Sequence, residues 1–447
     1  MTFQHHDQAR KAALAALERL LREEKACQRA VLVDDLYGKL RLLLWLEGDE
    51  AKVLSDKFRA ALKEAASTAW SDQLWIVGKE TSPADRLIYD STWEEAKPFK
   101  PLDRLRTLDK HRSKGAWFKE LAAPPWPARA GSQPKGPPVV VFYSFKGGVG
   151  RTTGLASFAI QRAQAGERVV VLDGDLDAPG VGTLLTPDES QPSEESQWGV
   201  VDYLLERPNA KEVDLADYYH VLRRDAVARG GGEIIVFPAG KMDDVYLSKL
   251  ARLDFEPPRE GEHSPWTQLL ERVRNDLSPR WILVDSRAGL ADAAGVLLGG
   301  LAHLHVLFAA HSEQSWQGLR LVVSRLGAER VWRNQMQAEC LLVQSMVPEN
   351  IEVAQLVKKR FLDRARDEFE SFYYAEDPAD EGEDLYWYSR DAESQDAPHQ
   401  PVVLSYKQGL ASFRTIDDAV PIVTSDEYKS FADRICAHFL EEDHEQA

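Results

Sequence analysis

The residues whose types and spacing point most directly to chemistry form one run: Val139-Val140-Val141-Phe142-Tyr143-Ser144-Phe145-Lys146-Gly147-Gly148-Val149-Gly150-Arg151-Thr152-Thr153. An apolar stretch of strand type enters a glycine-rich bend, and a helical pattern from Thr152 to Ala165 leaves it, with Gly166 placed to cap the C-terminus. Glycines let main-chain N–H groups approach phosphate oxygens, and a helix N-terminus adds partial positive charge. Thr152 stands where a hydroxyl could ligate Mg²⁺. The run therefore predicts a phosphate cradle. The standard spacing G-x-x-x-x-G-K-[ST] is missed twice, with Phe145 at the first glycine position and Arg151 at the lysine position. Arginine for lysine is not a neutral exchange, because a planar guanidinium can grip two phosphate oxygens where an ammonium is a point charge.

Two acidic segments follow strand-like runs. Val169–Leu172 leads into Asp173-Gly174-Asp175-Leu176-Asp177, where a carboxylate could accept a proton or fix a water. Trp281–Val284 leads into Asp285-Ser286-Arg287-Ala288-Gly289, and a carboxylate there suits a hard cation. A third run, Leu341-Leu342-Val343, ends on Gln344, whose amide could offer both a donor and an acceptor to a base edge.

These residues need a frame. Val139–Tyr143, Val169–Leu172, Glu233–Phe237, Trp281–Val284, Leu304–Ala309 and Glu339–Val343 are short Val/Ile/Leu-rich runs separated by helical patterns. Runs without polar alternation predict strands covered on both faces, hence a parallel sheet with crossover helices. The expected fold is α/β, a doubly wound, mostly parallel sheet in three layers. Residues 1–120 read differently, as a small α+β domain: helices over 7–28 and Asp49–Ala69, and strands Ala30–Val33, Leu40–Trp45 and Gln73–Val77. The domain ends in a basic stretch, Arg104, Arg106, Lys110, Arg112 and Lys114, read as a solvated helix face because Asp103, Asp109 and Glu120 interleave with it. Residues 121–138, rich in Pro and Gly, read as a linker to a nucleotide-binding domain over 139–447. Within that domain 375–392 reads as an exposed acidic insertion and Glu427–Glu441 as a closing amphipathic helix.

Composition narrows the function classes. The chain has 447 residues, 44% apolar and 28% charged, which excludes a disordered or fibrous protein. Its net charge of −17 repels phosphate backbones, so nucleic acid is not a favoured partner. Cys27, Cys340 and Cys436 have neither disulfide nor zinc spacing and suit a reducing, cytoplasmic setting. The N-terminus Met1-Thr2-Phe3-Gln4-His5-His6-Asp7 predicts no signal peptide. Ala293–Ala310 carries no formal charge over 18 residues, but Gly299-Gly300 divides it, so it predicts a helix, a break and a buried strand rather than a membrane span.

Lys146-Gly147-Gly148-Val149-Gly150-Arg151-Thr152-Thr153 resembles the deviant Walker A motif, KGGxxK[ST], of the ParA/MinD-like P-loop ATPases, the SIMIBI class. The resemblance extends over about residues 138–350, more loosely to 440, and omits 1–120. It implies ATP as ligand, held by Gly147, Gly148, Val149, Gly150, Arg151, Thr152 and Thr153, with Gln344 at the adenine. It implies Mg²⁺ at Thr152 and Asp285, Asp175 orienting or activating the attacking water, and Lys146 reaching across a nucleotide-dependent homodimer to the partner's nucleotide. Arg287 stands where that family often has a small residue or proline. The KGGVGR variant with Asp175-Leu176-Asp177-Ala178-Pro179-Gly180 resembles a bacterial subgroup joined to signalling or conflict-system modules, which implies a regulatory or defence role; in a dimerising ATPase, residues 1–120 would read the nucleotide state out to a protein partner.

Three readings follow: a dimerising, slow ATPase is the leading one, and two others stay open beside it. A nucleotide-gated adaptor with little turnover is favoured by Arg151 and opposed by Lys146, Asp175 and Asp285. A tyrosine kinase using a similar loop is suggested by Tyr373, Tyr374, Tyr386 and Tyr388, which lie inside the chain rather than at its end. Iron–sulfur chemistry lacks the cysteines it needs, and an acidic tail, Leu440-Glu441-Glu442-Asp443, disfavours attachment to anionic lipid.

Overall fold

The computed structural model describes residues 6–46, 51–110, 115–118, 124–126, 136–186, 198–207, 213–255, 263–328, 338–377 and 387–439. The chain divides into two compact units, Met1–Ser113 and Lys114–Ala447.

In the first unit, helix α1 (His6–Glu23) precedes the antiparallel pair β1 (Cys27–Asp34) and β2 (Leu40–Leu46). Helix α2 (Ala51–Ala66) leads to β3 (Trp70–Val77), and α3 (Pro83–Glu95) to β4 (Lys97–Pro98) and β5 (Leu105–Asp109). The sheet order is β3-β2-β1-β5-β4. Alternation along β1 sends Ala30 and Leu32 to the core beneath α1 and α2, and Val31 and Val33 to the opposite face, where Tyr89 of α3 is buried. The basic stretch is corrected here. Arg106 lies in β5, parallel to β1, and its guanidinium donates to the Trp93 carbonyl at 2.7 Å; Arg104 donates to the Cys27 carbonyl at 2.9 Å. The period is that of a strand, and the cations satisfy main-chain carbonyls rather than facing solvent from a helix. Arg112 and Lys114 lie outside the described residues.

The second unit holds an eight-stranded sheet, formed by β6 (Val139–Ser144), β7 (Arg168–Gly174), β8 (His220–Leu222), β9 (Glu233–Phe237), β10 (Trp281–Ser286), β11 (Leu304–Ala309), β12 (Cys340–Val347) and β13 (Val402–Ser405). Its order is β13-β12-β11-β6-β10-β7-β9-β8, and only the β8–β9 pair is antiparallel. Both faces are covered. Val140 and Phe142 of β6 pack with α4 (Arg151–Gln164) and with helices Ile416–Val423 and Asp426–Ala437; Val139, Val141 and Tyr143 face the layer of helices Pro265–Arg272, Asp292–Leu297, Glu313–Ala328 and Ile351–Phe372. This is the doubly wound, mostly parallel, three-layer arrangement. The apolar run over 293–310 is a helix, a glycine break and β11, and no described helix is long and apolar enough to cross a membrane.

In the proline-rich stretch before β6 the described residues include one anchor. Trp126 is buried, its indole N–H donates to the Pro137 carbonyl at 2.9 Å, and the Trp126 carbonyl lies 2.6 Å from His303 Nε2. His303 Nδ1 accepts the Val139 N–H at 2.9 Å, so the ring is neutral with its proton on Nε2, and burial lowers its pKa. Much of the acidic insertion, 378–386, lies outside the described residues; the closing helix runs over Asp426–Ala437, and residues 440 and 441 of its expected span are likewise outside them. Of the tyrosines there, Tyr373 and Tyr388 are buried and Tyr374 is half-buried.

Candidate functional site

Strand order alone fixes where a site can form. β6 is central, with β10 on one side and β11 on the other, and the chain crosses from one flank to the other after β10. The carboxyl ends of parallel strands at such a switch point open a crevice between diverging loops. Into that crevice run Phe145–Gly150 after β6, Asp173–Gly180 at the end of β7, and Asp285–Gly289 at the end of β10. Asp285 pairs in register with Asp173, so the two acidic segments are neighbours because their strands are.

The glycine loop has the backbone its composition requires. Gly148 and Gly150 have φ of 74° and 81°, a region that side-chain-bearing residues rarely adopt, and Gly150 N-caps α4. A Cβ at Gly147, Gly148 or Gly150 would meet nothing within 4 Å, so the loop borders open space. Lys146, Gly147 and Gly148 are exposed, Val149 is buried, and Thr152 and Thr153 are half-buried. Phe145, in place of the usual first glycine, has a structural reason: its ring fills the space at Gly318, where a Cβ would lie 1.9 Å from it. The larger residue here and the missing side chain there are one feature. Neither signals its partner in the sequence.

Beneath the loop Arg151 is buried and joins the two acids. Its Nε donates to Asp285 Oδ1 at 2.6 Å and its Nη2 to Asp175 Oδ2 at 2.9 Å. The Thr152 hydroxyl donates to the other Asp285 oxygen at 2.7 Å. Burial opposes charge on Arg151, but the attraction of Asp285 and Asp175 outweighs it and holds the guanidinium protonated. Burial pushes the Asp285 carboxyl upward, against the pull of Arg151. Arg287 completes the cluster, with Nη1 3.2 Å from Asp175 Oδ1 and Nε 3.4 Å from Asp177 Oδ2. Asp175 therefore bridges two guanidinia. From the sequence, Arg287 is only a departure from the family pattern and Asp177 has no role.

Asp173 has another task. It is fully buried, and its oxygens accept the main-chain N–H groups of Asp175, Gly180 and Gly182, each at 3.2 Å, which sets the shape of the loop after β7. Burial, with the nearby Asp285 charge, raises its pKa to about 8. Gly180 brings that loop to Thr152, whose methyl would lie 3.7 Å from a Cβ at 180.

The structure thus brings Lys146–Thr153, Asp175 and Asp285 to one crevice. Gln344 stands apart: it is fully buried two strands from β6, its amide N–H reaches the Val357 carbonyl at 3.4 Å, and among the described residues its Oε1 has no hydrogen-bond partner. In this conformation its amide is not presented at the surface. The hard oxygens of Thr152, Asp285 and Asp175 fit magnesium chemically. Among the described residues no three His, Cys, Asp or Glu side chains form a cage for a metal, so an ion here would depend on phosphate and water for its remaining ligands.

A central parallel strand, a glycine loop at the switch point and a helix that the loop caps define a fold of the P-loop α/β class. No family model matches the chain. In sequence it is similar to an uncharacterised ATP-binding protein of Methanocaldococcus jannaschii, 26% identical over 152 residues, or 34% of this chain and 45% of that protein. The chain matches less than half the length of that curated relative. Among solved structures, it is similar to pNOB8 ParA bound to nonspecific DNA, at 14% identity and a TM-score of 0.43, over 67% of this chain and 98% of that one. It is also similar to the cell division ATPase MinD of Pyrococcus furiosus, at 16% identity and 0.39, over 67% and 98%. A third is cobyrinic acid a,c-diamide synthase of Mycobacterium smegmatis with a bound ATP analogue and magnesium, at 16% identity and 0.41, over 68% and 95%.

Proposed function

We propose that the protein is a Mg²⁺-dependent ATP-binding protein and slow ATPase that acts as a nucleotide-driven dimerisation switch. The observation that carries the reading is the open space over Gly147, Gly148 and Gly150 at the end of the central strand, with Arg151, Asp175 and Asp285 directly beneath. Phosphates seated there would meet main-chain donors and the N-terminus of α4. Thr152 and Asp285 would hold the magnesium ion, which supplies charge neutralisation for the phosphate oxygens. Arg151 would exchange a carboxylate for phosphate oxygens, a trade a guanidinium makes without changing its own charge. Asp175 would orient the attacking water or take its proton.

Exposure of Lys146 supports its assignment to a second copy of the chain, since an exposed ammonium is open to a partner from outside. Residues 1–120, joined by 121–138 to the nucleotide-binding domain over 139–447, would pass the nucleotide state to a protein partner, in a regulatory or defence setting. Size measurement in solution with ADP and with a non-hydrolysable ATP analogue tests this. A dimer with the analogue alone, lost in Lys146→Ala, is expected; a monomer throughout would remove the cross-subunit lysine.

A second reading, a nucleotide-gated adaptor with little turnover, is favoured by the two guanidinia on Asp175, which occupy both of its oxygens. Phosphate release by the purified protein, with Asp175→Ala as the comparison, separates the two.

A further inference from the structure

Asp175 is held from both sides. One oxygen accepts from Arg151 Nη2 at 2.9 Å, the other from Arg287 Nη1 at 3.2 Å. The two cations differ in setting. Arg151 is buried at the first turn of α4, directly after the glycine loop, whereas the Arg287 side chain is about a third exposed and its Nε reaches the half-exposed Asp177. The turn that carries Arg287 is fastened to the loop's entrance: the Gly289 N–H donates to the Ser144 carbonyl at 3.2 Å, and the Tyr143 hydroxyl donates to the Gly289 carbonyl at 3.0 Å. Arg287 therefore stands at the rim of the crevice on a short, anchored turn, with a long side chain free to change partners.

A carboxylate between two guanidinia presents a pair of anionic oxygens to N–H donors, and a phosphate group offers oxygens of the same kind to the same donors. A phosphate group carries more charge than Asp175, and so competes for those donors. From this we propose that Arg287 is a terminal-phosphate sensor in cis: a nucleoside triphosphate draws its guanidinium from Asp175 and Asp177 onto the outermost phosphate, and a diphosphate does not reach it. The proposal rests on the reading of the loop as a nucleotide site and adds the residue that distinguishes the two nucleotide states. It carries a consequence for Asp175. With a diphosphate bound, Arg287 keeps that carboxylate paired; with a triphosphate bound, one of its two oxygens is released to face water. Arg287 thereby couples occupancy of the outermost phosphate position to the availability of the acid.

The test is the affinity of the full chain, by calorimetry with magnesium present, for ADP and for a non-hydrolysable ATP analogue. The wild type should prefer the triphosphate, and Arg287→Ala should lose about tenfold to a hundredfold of that preference, the range for one charged hydrogen-bonding group, with ADP affinity unchanged. Arg287→Gln, which keeps the stem and a polar head, should behave like alanine, and Arg287→Lys should restore part of the preference. Unchanged ADP binding shows in the same experiment that the site is intact. A preference retained in Arg287→Ala and Arg287→Gln would overturn the proposal, as would equal affinities in the wild type. Loss of both nucleotides alike would make Arg287 a strut of the loop and overturn it too. Failure of the wild type to bind either nucleotide is a different result, and would remove the nucleotide reading along with the sensor.

Discussion

Arg151 Nε lies 2.6 Å from Asp285 Oδ1, and Asp285 is fully buried. A carboxylate at that depth depends on its counter-ion. Removing one member of a buried ion pair leaves the other uncompensated, which costs about 3–5 kcal/mol. Arg151→Ala should therefore lower stability by an amount of that order in denaturant unfolding. Arg151→Lys should cost less, since one ammonium can pair with Asp285 but cannot span to Asp175. A change in Arg151→Ala within about 0.5 kcal/mol would mean that water reaches Asp285.

The two ends of the glycine loop should respond differently to a single methyl group. Gly147 has no positive φ and open space around it, so Gly147→Ala should shift stability by no more than about 0.5 kcal/mol. The methyl would enter the space assigned to phosphate, and ATP affinity should fall about tenfold or more, as for a lost charged hydrogen bond. Gly150, at φ 81°, is the contrast: Gly150→Ala should cost about 1–2 kcal/mol in the unfolding of the protein without any ligand.

Asp173 gives a pH signature between its unfolded and folded values. Its carboxyl is raised from 3.8 to about 8, so between those values the folded chain binds a proton that the unfolded chain has released. Its contribution is present in full below the unfolded value and is lost as pH rises through the folded one. Asp173→Asn retains an acceptor for the loop amides and removes the titration. The difference between the wild-type and Asp173→Asn stability curves should slope between about pH 4 and 8 and be flat above. A flat difference throughout would place an ionised carboxylate at 173.

His305 acts with the opposite sign. It is fully buried in β11, its Nδ1 lies 3.0 Å from the Glu339 carbonyl, and burial lowers its pKa from 6.5 to about 4. In that window the unfolded chain binds the proton and the folded chain does not, so stability falls as pH drops from 6.5 toward 4. His305→Leu should reduce this acid sensitivity, measured by unfolding across that range. An unchanged slope would mean that the ring titrates normally in the fold.

Much of the fold was legible because buried parallel strands carry an unambiguous texture. Leu304–Ala309 and Glu233–Phe237 are bounded in the structure as their apolar runs suggest, and others gain one to four residues at their carboxyl ends, where polar residues such as Asp285 continue the strand into the site. Shorter or edge elements escaped. His220–Leu222 and Val402–Ser405 are only three and four residues long, and each gains its identity from a neighbouring strand. Leu105–Asp109 was hidden by its arginines, whose charges suggested a solvated helix but whose donors go to main-chain carbonyls. In the site, the residue types named the acids and the loop, while the pairings among them depend on tertiary register. Nothing in the spacing of Arg151, Asp175 and Arg287 shows that one carboxylate joins two cations.

The central claim is that the bend at 146–152 holds the phosphates of a nucleotide. Calorimetric titration of the full chain with ATP and saturating magnesium tests it most directly. The account predicts saturable heat with a single nucleotide per chain, weakened in Gly147→Ala. The absence of saturable heat for ATP, ADP and GTP alike would contradict it.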